Sequence, residues 1–434
     1  MSDRLTAPLR AYRIFSVAMT PLTPLLLARR LRRGKEHRLR MPERRGISVM
    51  ARPPGQLIWL HGASVGELIS VLPLIERIRA REINVLVTSG TVTSGGLAEQ
   101  RLPRDVIHQF VPLDVPMYVR RFLDHWQPDL ALFAESDLWP NIIIESARRG
   151  VPMILVNGRL SDNSFRRWRY LPVTISNLLA RLDLCLARTP ADARRLSELG
   201  ATHVVTTGDL KLDVPAPPAD RGKLADLNAA IGGRPVIAAA STHAGEETAV
   251  IDAHRRLRAS FPSLLTIIVP RHPERGVGVE SIARAAGLKT KLRTRRELPD
   301  ATTDIYVADT VGELGIIYRL SPIVFVGGSL VKRGGQNPIE PAKLGAAILH
   351  GPHVWNFTEI YTALDQAHGA ETITDASKLT AAFGSLLSQG EARARVANAA
   401  RTTVDALSGA LDRTLQSLDP YLMQLRLRQR ADNA

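Results

Sequence analysis

The chain is poor in cysteine and in aromatic residues, and it lacks motifs with which large enzyme classes hold cofactors. Cys185 is its one cysteine, which excludes an intramolecular disulfide and a metal site built from cysteines. No G-x-G-x-x-G follows the first apolar strand of either half, and no Walker G-x-x-x-x-G-K-[ST] occurs. These absences argue against a dinucleotide-dependent dehydrogenase and against a P-loop nucleotide site.

Positive charge is concentrated near the N-terminus. The net charge is +15, and residues 29–45 hold nine Lys and Arg against two Glu. The preceding residues 14–28 are uncharged, but they fall short of the roughly 20 residues of a straight membrane span and contain Pro21 and Pro24. We predict an apolar N-terminal anchor that dips into or barely crosses a bilayer. The basic run would then lie on anionic head groups at the cytoplasmic face of that bilayer.

Other interpretations of this N-terminus remain open. Arginines before the apolar stretch are typical of a secretory signal, although the dense basic run after it opposes translocation. The segment could instead be an amphipathic N-terminus that covers the globular body. Nucleic-acid binding is disfavoured because no recognised motif occurs and aromatic residues make up only 5% of the chain. We therefore predict no nucleic-acid partner.

From residue 46 onward, strand candidates alternate with helix-length segments, which is the pattern of an α/β fold with parallel sheets. The Pro-rich stretch at residues 213–222 indicates a linker. We predict an anchor segment at 1–45, a first domain at 46–212 and a second domain at 223–434, whose tail helices could pack back on the first. A cleft between the domains is the expected site. The strand candidates are 57–61, 84–88, 130–133, 153–156, 184–187, 235–240, 264–269, 305–307, 323–326 and 347–349.

Glu67 stands in the first turn of a predicted helix, just after the strand at 57–61 and a small-residue loop. Ser64 three residues earlier fits a capping box, so Glu67 could simply stabilise the start of the helix. The alternative is a functional carboxylate, because α/β folds bind ligands at the carboxyl ends of their strands. These residues alone leave both roles open.

Polar residues follow several strands of the second block. Glycine-rich turns let backbone N–H groups approach an anion, Arg adds a bidentate phosphate donor, and a carboxylate suits a ribose diol. Together these clusters predict a nucleotide-phosphate site. Its candidate residues are Ser241, Thr242, Arg271, His272, Gly327, Gly328, Ser329, Asn337 and Glu340.

Polar residues also follow strands of the first block, in ESDLWPN and NGRLSDNSF. An acidic pair beside a basic loop suggests a polar, partly anionic acceptor, although the Trp-Pro pair could simply pack a domain edge. The candidates for acceptor binding are Glu135, Asp137, Asn157, Arg159 and Ser161.

The chain contains ten motifs that together give it a family likeness. In order, they are ASVGE, ESDLWPN, NGRLSDNSF, TGDLKLD, ASTHAGEE, PRHPER, DTVGELGIIYRLS, FVGGSL, GGQNPIEPA and GPHVWNF. It resembles the bacterial 3-deoxy-D-manno-octulosonic acid (Kdo) transferases of lipopolysaccharide assembly. The resemblance extends from about residue 45 to the tail, with the N-terminal anchor in addition.

The resemblance implies a GT-B fold with two Rossmann-like domains facing a central cleft. It also implies inverting transfer of Kdo from CMP-Kdo to an anionic lipid A precursor at the inner membrane. The carboxylate of the family motif S-V-G-E, the expected catalytic base, falls on Glu67, and Lys211 joins the acceptor or transition-state residues. No Asp-x-Asp pair occurs, so we expect no metal and no cofactor. A related GT-B transferase with a modified Kdo, or another nucleotide sugar and a different membrane acceptor, is the alternative.

Three positions depart from the common pattern of that family. Asp137 replaces a glutamate and shortens the side chain by one methylene, Gln336 replaces a histidine, and Asp209 replaces an asparagine. These changes keep hydrogen-bonding capacity but alter charge or reach. They therefore bear on the identity of donor and acceptor more than on the class of reaction.

Overall fold

The computed structural model describes residues 5–432, with side chains described for residues 5–427. The chain forms two compact units, one of Met1–Val214 with Ser408–Ala434 and one of Pro215–Leu407. The strands are β1 Leu57–His61, β2 Asn84–Ser89, β3 Ile107–Phe110, β4 Leu130–Ala134, β5 Met153–Gly158, β6 Leu184–Ala187, β7 Val204–Thr206, β8 Val236–Thr242, β9 Leu265–Pro270, β10 Thr290–Leu292, β11 Ile305–Val307, β12 Ile323–Val326, β13 Ala347–His350 and β14 Ala370–Thr372.

Helices connect these strands, and short 3₁₀ turns lie between some of them. The α-helices are α1 Ala7–Ala18, α2 Thr23–Arg32, α3 Val65–Arg79, α4 Val92–Arg101, α5 Pro116–Trp126, α6 Pro140–Arg148, α7 Asp162–Trp168, α8 Pro172–Leu179, α9 Pro190–Glu198, α10 Arg221–Ile231, α11 Glu246–Leu257, α12 Gly276–Ala285, α13 Leu314–Leu320, α14 Ile339–Lys343, α15 Thr358–Gln366, α16 Ala376–Ser388, α17 Gly390–Leu407 and α18 Ala410–Asp432. The 3₁₀ turns are Thr20–Leu22, Arg38–Arg45, Leu210–Leu212, Pro273–Arg275 and Arg293–Arg295.

The first unit is built on a parallel sheet of order β3-β2-β1-β4-β5-β6-β7. The order reverses between β1 and β4, which is the topological switch point at which open α/β sheets bind ligands. Residues of β1 point alternately to two apolar layers: Trp59 packs with Phe122 and Phe133 on one face, and Leu60 packs on the other. The switch point is therefore held between two packed layers of helices.

Helix α18 belongs to the first unit although it follows the second unit in the chain. Its residues Leu418 and Leu422 are fully buried and join the same apolar layer as Leu60 and Val71. The N–H groups of Gly409 and Leu411 donate to the Asp213 carboxylate, which ties the start of this helix to the end of the first chain segment.

The N-terminal segment packs on the first unit through specific contacts. Tyr12 donates to Asp114 at 2.9 Å, and Arg13 forms an ion pair with Glu145 at 2.6 Å. No single described helix is long and apolar enough to cross a bilayer; only α1 together with Thr20–Arg32, bent by 45°, meets the length and composition of a span.

The basic run is divided between interior and surface. Arg44 is 3% exposed, forms an ion pair with Glu36 and donates to backbone carbonyls, so it cannot lie on head groups as the sequence predicted. Arg29, Arg32 and Arg33 are exposed, as are the apolar side chains of residues 14, 15, 17, 22, 25 and 26.

The second unit repeats the architecture with a parallel sheet of order β10-β11-β9-β8-β12-β13-β14. Its order reverses between β8 and β12, whose residues Ala238 and Val324 are paired. Buried side chains from α11, α12 and α16 cover one face of this sheet. The prediction of two α/β domains with parallel sheets is confirmed.

Candidate functional site

Glu67 lies at the switch point of the first sheet, in the first turn of α3 directly after β1. Its carboxylate accepts from the Ser64 hydroxyl and from the Ala63 N–H, each at 2.8 Å, while the Glu67 N–H donates to Ser64 at 3.3 Å. The capping role is therefore present. These contacts also fix the carboxylate in one orientation at the carboxyl end of the sheet.

The protonation of Glu67 is shifted by its surroundings. Burial raises the pKa of the Glu67 carboxyl above its ordinary value of 4.5, and the negative charges of Asp137 and Glu135 raise it further. The hydrogen bonds from Ser64 and Ala63 act in the opposite direction without cancelling the shift. A carboxylate with a raised pKa is a stronger base, which suits proton abstraction.

Glu135 and Lys211 form an ion pair beside Glu67. Lys211 Nζ donates to Glu135 Oε1 at 2.6 Å, and both side chains are largely buried. Glu135 follows β4 with φ of 59°, in the left-handed region that residues with a Cβ rarely adopt. Such strain is found at functional sites when the surrounding structure holds it in place. The sequence had placed both residues in the acceptor or transition-state group.

Asp137 lies on the same loop, and its Oδ2 atom is 3.6 Å from His61 Nε2. This distance is just beyond that of a hydrogen bond. Both atoms are buried and lack a hydrogen-bond partner among the residues described. His61 was not among the predicted site residues; its place as the last residue of a buried strand was the available signal.

The other candidates for acceptor binding divide by their contacts. Asn157 is 1% exposed with φ of 54°, and its Oδ1 accepts from Leu210 N–H at 2.9 Å. Ser161 accepts from Ser164 N–H and caps α7. Both therefore have structural roles that the sequence interpretation missed, whereas Arg159 is half-buried on the loop after β5.

The switch point of the second sheet contains a buried carboxylate. Glu246, fully buried in the first turn of α11, accepts four backbone N–H groups: those of Gly328 and His243 on Oε2, and those of Ser329 and Leu330 on Oε1. The distances run from 2.7 to 3.0 Å. An anion-binding turn is thus present after β12, but an internal carboxylate fills it.

This arrangement bears on part of the predicted donor site. The N–H groups of Gly328 and Ser329 donate to Glu246 and the Gly327 N–H donates to Ala240, so in this conformation they are not open to a phosphate, and donor binding by these residues stays a prediction. Ser329 is fully buried, and its hydroxyl links Val326 and Gly351. Its side chain is structural.

Other predicted donor residues lie on the surface around this turn. Arg271 is exposed after β9, and its N–H donates to Thr242. His272 is exposed, and its ring meets that of His243 edge-on at 5.8 Å. Ser241 has φ of 57° near the end of β8, the third strained position near a strand end after Glu135 and Asn157. Arg271, His272 and Ser241 are therefore the candidates placed to meet a ligand.

The remaining donor candidates make local contacts. Thr242 is fully buried and donates to Glu247 at 3.4 Å. Asn337 donates to Glu340 at 3.2 Å and accepts from Ile339 N–H, which shapes the start of α14. Thr242 is thus structural, and Asn337 with Glu340 forms one hydrogen-bonded unit.

Comparison with known proteins gives this geometry a family. The profile of the family described as 3-deoxy-D-manno-octulosonic-acid transferase (kdotransferase) matches residues 37–214. The 3-deoxy-D-manno-octulosonic acid transferase of Haemophilus influenzae is 34% identical over 397 residues, which cover 90% of this chain and 93% of that protein. The same transferase of Bordetella pertussis is 35% identical over 425 residues, which cover 94% and 99%.

A solved structure supports the fold alone. UDP-GlcNAc 2-epimerase from Neisseria meningitidis bound to UDP-GlcNAc has a TM-score of 0.57 and 13% identity, and the match covers 84% of this chain and 99% of that one. The two sequence relatives exceed 30% identity over nearly their whole length. The chain belongs to the 3-deoxy-D-manno-octulosonic acid transferase family.

Proposed function

We propose that the protein is an inverting GT-B-type glycosyltransferase that transfers Kdo from CMP-Kdo to a lipid A precursor in lipopolysaccharide assembly. One observation carries the proposal. In a member of the Kdo transferase family, the residue matching the catalytic S-V-G-E motif is a carboxylate of raised pKa, oriented at a sheet switch point beside an acidic pair. That is the environment that a general base requires.

In the proposed reaction, Glu67 accepts the proton of the acceptor hydroxyl as that oxygen attacks the anomeric carbon of Kdo. The bond from that carbon to the CMP phosphate breaks, and CMP leaves with the electron pair. Lys211 offsets the charge of Glu135 and so reduces its repulsion of an anionic acceptor. Asp137 and Glu135 both raise the pKa of Glu67 and so keep it basic.

The second unit is the proposed donor-binding unit. Arg271 and His272 supply exposed donors near the end of β9, where they would meet the phosphate of CMP. Glu340, close to Asn337, is the proposed ribose contact. Glu246 would hold the turn after β12 in shape instead of leaving it open to phosphate.

We propose that the reaction needs no metal. Among residues 5–427, whose side chains the structure describes, no three His, Cys, Asp or Glu side chains come together in an arrangement that could hold a metal ion. Charge on the leaving group would be met by Arg271 and by polar donors. Activity that disappears in excess EDTA and returns with Mg²⁺ would refute this part of the proposal.

The acceptor is proposed to be an anionic lipid at the cytoplasmic face of the inner membrane. Apolar side chains of α1 and α2, among them Ile14, Phe15 and Leu25, are more than half exposed. They lie on a segment that also carries the exposed arginines 29, 32 and 33. Apolar side chains that enter the interface, with basic residues beside them, favour an anionic bilayer.

The experiment that tests the function measures CMP release by the purified full chain. CMP-Kdo is supplied with a tetraacylated lipid A precursor, with other lipid acceptors, or alone. Release that depends on the lipid A precursor supports the proposal. Release only with another acceptor or another nucleotide sugar would favour the alternative transferase.

Glu67→Gln assigns the base within the same assay. The amide keeps the shape of the side chain and removes its basicity, so we expect kcat to fall by about 10²–10⁴-fold with unchanged CMP-Kdo binding. Glu76→Gln, an exposed change further along the same helix, is the matched control. A Glu67→Gln variant with most of the wild-type kcat would show that another group takes the proton.

A further inference from the structure

His61 is a fully buried histidine at the end of β1 that the proposed reaction does not use. Its Nδ1 atom is 2.9 Å from Thr88 Oγ1 on the neighbouring strand β2. The same hydroxyl oxygen accepts from Trp59 Nε1 at 2.9 Å. Three side chains on two central strands therefore form one hydrogen-bonded chain within the first unit.

The chemistry of these groups fixes the proton on the imidazole. An indole N–H can only donate, so Thr88 Oγ1 is the acceptor in its contact with Trp59. In the part of the chain that the structure describes, His61 Nδ1 is the remaining partner of that hydroxyl. The Thr88 O–H therefore donates to Nδ1, and the neutral ring carries its hydrogen on Nε2.

That Nε2–H faces the Asp137 carboxylate. His61 Nε2 and Asp137 Oδ2 are 3.6 Å apart, and neither atom has a hydrogen-bond partner among the described residues. Buried polar atoms are nearly always paired, and a movement of less than about 1 Å would make this a normal hydrogen bond. One hydrogen bond would satisfy both atoms.

We propose that His61 is a positioning residue, which donates its Nε2–H to Asp137 in the working enzyme and holds that carboxylate, ionised, next to Glu67. The inference rests on the proposed function of Glu67 as base. An ionised neighbour favours the protonated form of Glu67 and so makes it a stronger base. Glu135, which forms an ion pair with Lys211, also raises the pKa of Glu67.

His61 variants test this role through the pH profile of kcat/KM. His61→Leu removes the donor, so the Asp137 carboxylate is no longer held in place and the like charge beside Glu67 is lost. We expect the acid limb to move to lower pH by about 0.5–1 unit, with kcat reduced about tenfold and KM for CMP-Kdo unchanged. His61→Gln places an amide N–H near the position of Nε2, so it should restore most of kcat and most of the wild-type position of the acid limb.

A histidine that only fills the core would give a different result. His61→Leu and His61→Gln would then lose activity without any shift of the acid limb, or both would shift it equally, and either outcome overturns the proposal. Thr88→Val covers the case in which His61→Leu does not fold. Thr88→Val removes the hydroxyl that fixes the His61 tautomer, and we expect the acid limb to shift in the same direction. An unshifted limb would count against the proposed hydrogen-bond chain from Thr88 through His61 to Asp137.

A measurement without turnover separates this inference from the function. In the wild-type full chain with ¹⁵N-labelled histidine, we expect the His61 ring at neutral pH to show a protonated Nε2 and an unprotonated Nδ1. A protonated Nδ1 would refute the proposed hydrogen-bond chain from Thr88 through His61 to Asp137, even in an active transferase. If no acceptor supports CMP release but the Nε2–H form is found, the proposed function fails while the assigned tautomer stands.

Discussion

Replacing Glu246 by glutamine should destabilise the second unit strongly, although the two side chains have the same number of heavy atoms. Each carboxylate oxygen accepts two backbone N–H groups, His243 and Gly328 on one side and Ser329 and Leu330 on the other. A glutamine amide has one acceptor oxygen. Whichever way it turns, two buried N–H groups face an NH₂ group that cannot accept.

The size of the effect follows from these two groups. A buried donor left without a partner costs about 1–3 kcal/mol, so Glu246→Gln should lower the free energy of unfolding by about 2–6 kcal/mol. For a unit of this size, about 1 kcal/mol moves the midpoint of thermal unfolding by about 2–4 °C. We therefore expect the midpoint to fall by at least about 4 °C.

Thermal unfolding followed by circular dichroism measures this shift, and Glu274→Gln is the matched control. Glu274 is an exposed glutamate of the same unit, so its change should stay within about 0.5 kcal/mol of wild type. Equal midpoints for the two variants would refute the reasoning. If Glu246→Gln also bound CMP-Kdo more tightly, the turn after β12 would be a phosphate site that Glu246 fills when the donor is absent.

Three further predictions concern the first unit. Because the pKa of Glu67 is raised, we expect the acid limb in the pH profile of kcat/KM to have its midpoint above pH 4.5, and kcat/KM to fall about tenfold per pH unit below that midpoint. A midpoint below pH 4.5 would contradict the assignment of Glu67 as the base. Replacing Arg29, Arg32 and Arg33 by Gln should weaken binding to anionic vesicles, make the remainder less sensitive to salt and raise KM for the lipid acceptor alone; equal vesicle binding at low salt would leave the apolar stretch as the only anchor. Burial raises the pKa of Cys185 to about 12, so a thiol reagent should label it only after unfolding, and rapid labelling of the native chain would contradict its burial.

The central strands could be predicted from sequence, and the edge strands could not. The predicted and observed bounds agree for β1, β6, β11 and β12 and differ by one or two residues for the other central strands. The four missed strands, β3, β7, β10 and β14, are the edges of the two sheets. An edge strand is short and partly open to solvent, as AET in β14 shows, so it lacks the apolar run that marks a buried strand.

The site shows a similar division. The position of Glu67 followed from the order of strand, loop and helix, because that order fixes which end of the sheet the residue occupies. The sequence did not predict which group occupies the turn after β12, because a Gly-Gly turn has the same sequence whether a ligand or an internal carboxylate fills it. Glu246 is about 80 positions earlier in the chain, and only the packing of β8 against β12 brings it to Gly328.

The place of α18 has a consequence for how the protein is made. The layer that buries Leu418 and Leu422 against the first sheet needs a segment that the ribosome adds last, after the whole of Pro215–Leu407. At about 5–20 residues per second, the part of this layer that α18 covers stays exposed for roughly 10–40 s, although α3 already packs on the same face. During that interval, the nascent chain exposes apolar surface to which chaperones and neighbouring chains can bind. A premature stop before Ala410 would make the exposure permanent, even though every residue of the Glu67 site had already been synthesised.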